Sequence, residues 1–158
     1  MSCDVAAAAF LFLASTGPSH AAPLWRIDAP AAVSALSREP LFADIISRAA
    51  KLKTDTDAYR RQTAKIAIPA ALPRFDDFQS RIAALSDLDM KGHLELAKRG
   101  TDGDLKCILR GISQDLPKKL AELAAAKTGP DQDQALRDMS YLLNDNVEVI
   151  TAPPAPPV

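Results

Sequence analysis

The sequence predicts an all-α protein, a single-domain up-and-down bundle of about five helices. Three observations support this fold class. Apolar residues recur at spacings of three and four along most of the chain, which is the pattern of amphipathic helices. Prolines and glycines separate these stretches by short connections, which favour antiparallel neighbours. Period-two alternation is confined to residues 147 to 150, and a lone strand would have no partner.

Residues 1 to 21 have the outline of a secretory signal peptide. The apolar run Val5–Ala14 is too short to span a bilayer, and Gly17-Pro18 breaks it off. Ser19 and Ala21 are small residues at the positions that define a cleavage site after Ala21. No Lys or Arg precedes the run, and a buried apolar N-terminal helix is the alternative interpretation. We therefore expect a periplasmic or secreted protein whose mature chain has no membrane span.

The predicted mature chain begins with an extended lead-in, residues 22 to 38, in which prolines alternate with small and apolar residues. It contains at most a short helix from Ala31 to Leu36, and Trp25 is placed to pin this arm to the domain. The helical bundle is predicted over residues 39 to 148.

The first bundle helix is predicted to begin at Pro40, because the missing N–H of proline has no cost in the first turn. Residues 54 to 57 prefer capping positions, so this segment forms either one helix or two. Pro69 and Pro73 end it and make residues 67 to 73 a connection.

A further helix is predicted from Phe75 onward. The sequence Ser86-Asp87-Leu88-Asp89 resembles a capping box, and the apolar phase shifts after it. These two features predict a break near Ser86 and a separate short helix that ends at Gly100, the expected left-handed terminator.

The most regular helical pattern follows the cap Thr101-Asp102 and runs from Leu105 to Leu123. Pro117 lies inside it and is expected to kink the helix or divide it at Asp115. Gly129 begins the last helix, and residues 144 to 146 are expected to end it.

Residues 149 to 158 are predicted to form a disordered Pro-rich tail. Pro153 and Pro156, like Pro154 and Pro157, have the P-x-x-P spacing, so a ligand for an aromatic groove is the alternative.

Charge disfavours a nucleic-acid partner. The chain has 19 Lys and Arg against 20 Asp and Glu, and loss of Asp4 with the signal leaves 20 − 1 = 19 acids. Phosphate binding needs a basic excess or a basic face, whereas the cations here occur in runs of two at most.

One imidazole and two carboxyl groups have helical spacing. His93 follows Asp89 by four residues, and Glu95 is close by. Such residues can begin a metal site, but His20 leaves with the signal and no His-Glu-x-x-His motif is present. An ion pair on the helix surface is the favoured interpretation, and a metal site is the alternative.

Gly103, Cys107 and Gly111 are spaced by four on the side of their helix opposite the leucines. We predict a seam of small residues where a neighbouring helix approaches closely and shelters the Cys107 thiol. Cys3 leaves with the signal, so Cys107 has no partner within the mature chain. The alternative is an exposed thiol in a mixed disulfide, a homodimer bridge or a bond to a cofactor.

No phosphate loop, nucleophile elbow or calcium loop is found in the sequence, which predicts no catalytic residue and no cofactor. The favoured function is an exported, non-enzymatic binding or interaction protein with a protein partner in the cell envelope. The alternatives are a metal- or cofactor-binding bundle that uses Asp89 and His93, and an enzyme whose residues gather from distant helices.

Overall fold

The structure, a computed structural model, describes residues 34 to 100 and 103 to 152. Within these ranges it is all-helical, without a strand, which confirms the fold class. Four helices are present, not five: α1 (Pro40–Thr63), α2 (Phe75–Arg99), α3 (Gly103–Ala125) and α4 (Gly129–Thr151). A 3₁₀ turn, Ala35–Arg38, precedes α1. The predicted signal peptide, Trp25, the cap Thr101-Asp102 and residues 153 to 158 lie outside the described residues.

Neighbouring helices are antiparallel. On α2, Ser86 and His93 reach the carbonyl groups of Ser113 and Lys106 on α3, so residue numbers rise on one helix as they fall on the other. The contacts of α1 with α4 follow the same rule, and these two helices pack on each other as extensively as α2 does on α3. Tyr59 and Asp55 on α1 contact Phe78 and Arg81 on α2, so α1 and α2 are antiparallel as well, and the order of the helices is up-and-down.

Every helix contributes to a single apolar core. The largest fully buried side chains are Phe42, Ile45, Leu52, Phe78, Ile82, Leu85, Leu109, Leu116, Leu136, Met139, Leu143 and Ile150. Burial of this kind is the main stabilising contribution to a bundle of this size.

The predicted break near Ser86 is wrong, because α2 is continuous. Ser86 is buried in the middle of the helix, and its hydroxyl donates to the carbonyl of Ser113 on α3. A capping side chain instead bonds to its own backbone. Here the tertiary partner replaces that local bond, and the two predicted helices become one.

The predicted division of α3 at Asp115 is also wrong, since the helix passes through Pro117 to Ala125. Proline cannot donate to the carbonyl four residues before it, which is that of Ser113. Ser86 supplies a hydrogen bond to that same carbonyl. The two residues that predicted helix breaks thus compensate each other across the α2–α3 interface.

Of the two possibilities for residues 54 to 57, one continuous helix is observed. The Thr54 and Thr56 hydroxyls donate to the carbonyls of Ala50 and Leu52, four residues earlier. Threonine can satisfy its hydroxyl inside a helix in this way, without capping a new one.

The last helix does not end at residues 144 to 146 but continues to Thr151. Val149 and Ile150 are buried in the core, which outweighs the turn preference of the preceding asparagines. Residues 149 to 151 therefore belong to the bundle and not to the tail. Gly100 ends α2 in the left-handed conformation (φ 67°), as predicted.

Candidate functional site

Asp89 lies inside the bundle, not on its surface. Its exposed fraction is 0 %, as is that of Asn146 on α4. The Asn146 Nδ2 donates to both carboxyl oxygens of Asp89, at 3.0 Å and 2.9 Å. This pair joins α2 and α4, which are diagonal helices of the bundle.

The surroundings of the pair are apolar. One turn after Asp89, a Cβ placed on Gly92 would lie 3.1 Å from Leu109 Cδ1 on α3 and 3.3 Å from Ile45 Cδ1 on α1. This tight packing removes water from the turn, and burial raises the pKa of Asp89 to about 7, against the smaller lowering effect of the Asn146 hydrogen bond.

The expected surface ion pair between Asp89 and His93 is wrong, because Asp89 is buried and the two side chains have different partners. His93 Nδ1 donates to the Lys106 carbonyl on α3 at 2.7 Å. Glu95 accepts a hydrogen bond from Arg99 Nε at 3.0 Å on the surface. Within the described ranges, no group of three or more His, Cys, Asp and Glu side chains is placed to hold a metal ion.

The predicted seam on α3 is also corrected. A Cβ on Gly111 would meet no atom within 4 Å, so no helix approaches closely there. Cys107 is half-buried and disulfide-bonded, and the expectation of a free thiol is wrong. Gly103 is the first residue of α3. The tightly packed glycine on α2 is Gly92. A glycine inside a helix costs about 1 kcal/mol relative to alanine, so its presence there is the sequence signal for close packing.

The second feature of interest is the α1–α2 connection, residues 64 to 74. Ile68 is 72 % exposed and Ile66 is 37 % exposed, which makes them two of the four exposed large apolar side chains among the described residues. Ala67 and Ala71 beside them are exposed as well.

Four hydrogen bonds from three residues attach this connection to the bundle. Gln132 on α4 accepts from the Ala70 N–H at 2.9 Å and donates to the Ala70 carbonyl at 2.8 Å. The Gly129 N–H donates to the Ala67 carbonyl at 2.9 Å. The Tyr59 hydroxyl on α1 donates to the Pro73 carbonyl. The exposed isoleucines therefore stand on a fixed backbone.

Gly129 permits the closest of these approaches. A Cβ at this position would lie 1.6 Å from the Ile66 carbonyl oxygen, a distance that no substituted residue can occupy. The first residue of α4 thus packs directly against the backbone of the connection.

Both ends of the connection carry backbone strain. Lys65 (φ 68°) and Arg74 (φ 56°) are the non-glycine residues with positive φ among those described. Such a conformation costs about 1–3 kcal/mol and persists where the surrounding structure imposes it, often at functional sites. The hydrogen bonds to α1 and α4 therefore hold the connection in a conformation that its own backbone disfavours.

Cations lie at both ends of the connection, and acids on α2 and α4 pair with two of them. From residue 60 to residue 74 the sequence has four cations and no acid. Arg60 contacts Asp133 at 3.6 Å, and Arg74 reaches Asp77 at 3.4 Å with its side chain 82 % exposed. Arg61 and Lys65 are exposed and have no ion pair among the described residues.

Two surface pockets flank the connection. One, of about 460 Å³, is lined by residues that include Ile66, Gly129 and Arg137. The other, of about 370 Å³, lies on the opposite side against Tyr59 and Arg81. The sequence pattern predicts a connection over residues 67 to 73 and assigns no function to it, although the acid-free, apolar composition of residues 60 to 74 is a signal for this surface.

No helix in the described part of the chain is long and apolar enough to cross a membrane. Comparison with protein-family models, curated proteins and solved structures finds no match to this chain.

Proposed function

We propose that the protein is exported, periplasmic or secreted, and acts as a non-enzymatic interaction protein that binds a protein of the cell envelope through the α1–α2 connection. One observation carries the proposal: Ile68, with 72 % of its surface exposed, stands on a backbone that is hydrogen-bonded to α1 and α4.

A fixed backbone favours binding. An apolar side chain on a flexible loop loses conformational entropy when a partner orders it, whereas one on a prearranged loop loses little. A single exposed isoleucine needs no explanation by itself. Here Ile66 and Ile68 lie two residues apart, and hydrogen bonds to α1 and α4 hold the segment that carries them.

The charges around the connection specify the chemistry of the partner. Arg61 and Lys65 present cations next to the isoleucines. A complementary surface has an apolar recess with an acidic rim, and we expect its association rate to fall with rising salt.

The test is partner capture from envelope extract with two charge substitutions. Ile68→Asp places a carboxylate in the apolar contact and should abolish capture. Leu94→Asp is the matched control, because Leu94 is also an exposed apolar residue (58 %) but lies on α2, away from the connection. If Ile68→Asp captured the partner as well as the wild-type protein does, the connection would be excluded as the docking surface.

Export has its own test. N-terminal sequencing and intact mass of the exported protein should show cleavage after Ala21. An uncleaved chain retained in the cytoplasm would overturn the proposed location.

A further inference from the structure

The Asp89–Asn146 pair has an incomplete set of hydrogen bonds when Asp89 is ionised. Asn146 Nδ2 serves both carboxyl oxygens, and Asn146 Oδ1 is buried without a hydrogen-bond partner among the described residues. A carboxylate can only accept, so it has no hydrogen to offer to Oδ1. A buried polar atom without a partner costs about 1–3 kcal/mol.

Among the described residues, no cation compensates the charge of the Asp89 carboxyl group. The shift in its pKa has two causes, burial and the Asn146 amide, and no Coulombic contribution from a charged neighbour. His93 on the same helix bonds to the Lys106 carbonyl, and on α1 Arg48 pairs with Asp44 at the surface. The other charged side chains on this part of α2, α3 and α4 are Lys91, Glu95, Lys106, Arg110, Asp145 and Glu148, all at least partly exposed.

We propose that the folded protein holds Asp89 as a neutral carboxylic acid in a cyclic pair with Asn146, and that this pair is a proton-binding site that couples the stability of the bundle to pH. A rotation of the two side chains from the observed arrangement, in which Nδ2 contacts both carboxyl oxygens, lets the carboxyl O–H donate to Asn146 Oδ1 while Nδ2 donates to the other carboxyl oxygen. The proton comes from solvent on folding and returns to it when the pair ionises. The buried Asn146 Oδ1 then has a donor, and the pair carries no charge.

The direction of the pH dependence follows from the raised pKa. Asp89 takes its proton at a pKa of about 7 when folded and at the ordinary value of 3.8 when unfolded. The stabilising effect of the proton is fully present below pH 3.8 and is lost as pH rises towards about 7. In this interval the equilibrium constant for unfolding rises by as much as about tenfold per pH unit.

The experiment is urea unfolding of the full chain from acid to alkaline pH, for wild type and two variants. Asp89→Asn replaces the acid by a neutral group of the same shape, so it should lose the fall in stability that wild type shows between pH 3.8 and about 7, and its midpoint should exceed that of wild type above pH 7. Asp87→Asn, an exposed position two residues earlier, should keep the wild-type profile. Equal pH profiles for wild type and Asp89→Asn would overturn the proposal.

A second measurement does not depend on folding of the variant. In wild-type protein labelled with ¹³C at aspartate, the Cγ chemical shift of Asp89 should titrate near neutral pH. A midpoint close to 4, together with a sharp carboxylate signal at neutral pH, would show that the core holds the ion and that no proton is bound.

Discussion

Ser86 on α2 donates its hydroxyl to the one carbonyl group of α3 that Pro117 leaves without a backbone donor, that of Ser113. Both serines are buried. The bond therefore replaces, from a different helix, the intrahelical hydrogen bond that a proline removes.

We expect Ser86→Ala to lower the free energy of unfolding by about 1–3 kcal/mol, because the buried Ser113 carbonyl is left unsatisfied. The loss should be much smaller in a Pro117→Ala background, where the restored N–H can donate to that carbonyl. Urea titration of the two single variants and the double variant measures this coupling. Ser80→Ala, which removes an exposed hydroxyl from the same helix, is the control. Equal losses in both backgrounds would disprove the compensation.

The two glycines Gly129 and Gly111 should respond oppositely to alanine. Gly129→Ala forces a Cβ into the Ile66 carbonyl, so it should destabilise the fold and displace the connection. Gly111→Ala meets open space and should stabilise α3 by about 1 kcal/mol through helix propensity. Thermal unfolding of the two variants compares them directly. If Gly111→Ala destabilised the fold, the result would support the prediction that a neighbouring helix approaches α3 closely at Gly111.

Gln132→Ala should release the connection, because it removes both hydrogen bonds to Ala70 at about 0.5–1.5 kcal/mol each. The Ala70 amide should then exchange its hydrogen faster, and capture of the partner should weaken although no exposed residue has changed. Gln134→Ala, exposed on the same helix and bonded to Asp138, is the control. Unchanged amide exchange at Ala70 would mean that other contacts hold the segment.

Leu109→Ala should lower the free energy of unfolding by about 2–5 kcal/mol, since Leu109 is completely buried and packs next to Gly92. Lys118→Ala removes only an exposed ion pair with Asp115 and should cost less than about 1 kcal/mol. Similar shifts of the urea midpoint for these two variants would contradict the assignment of the buried face of α3.

The candidate surface was only partly predictable from the sequence. The composition of residues 60 to 74, apolar with four cations and no acid, is visible without coordinates. Its attachment is not, because Gln132 is 62 residues from Ala70 along the chain. Similarly, the four-residue spacing of Asp89 and His93 predicted a shared site, but spacing alone does not say which neighbouring helix each side chain faces.

The sequence by itself determined the all-α fold class, the antiparallel order of the helices and the helix ends at Pro40 and Gly100, because apolar periodicity, short connections and terminal residues act locally. Only the tertiary structure decided that Ser86 and Pro117 do not end helices, that α4 continues to Thr151 and that Asp89 is buried. The reason is one of magnitude: a local cap is worth about 1 kcal/mol, whereas packing of a neighbouring helix buries several side chains at about 1.5–3 kcal/mol each and supplies the missing hydrogen-bond partner.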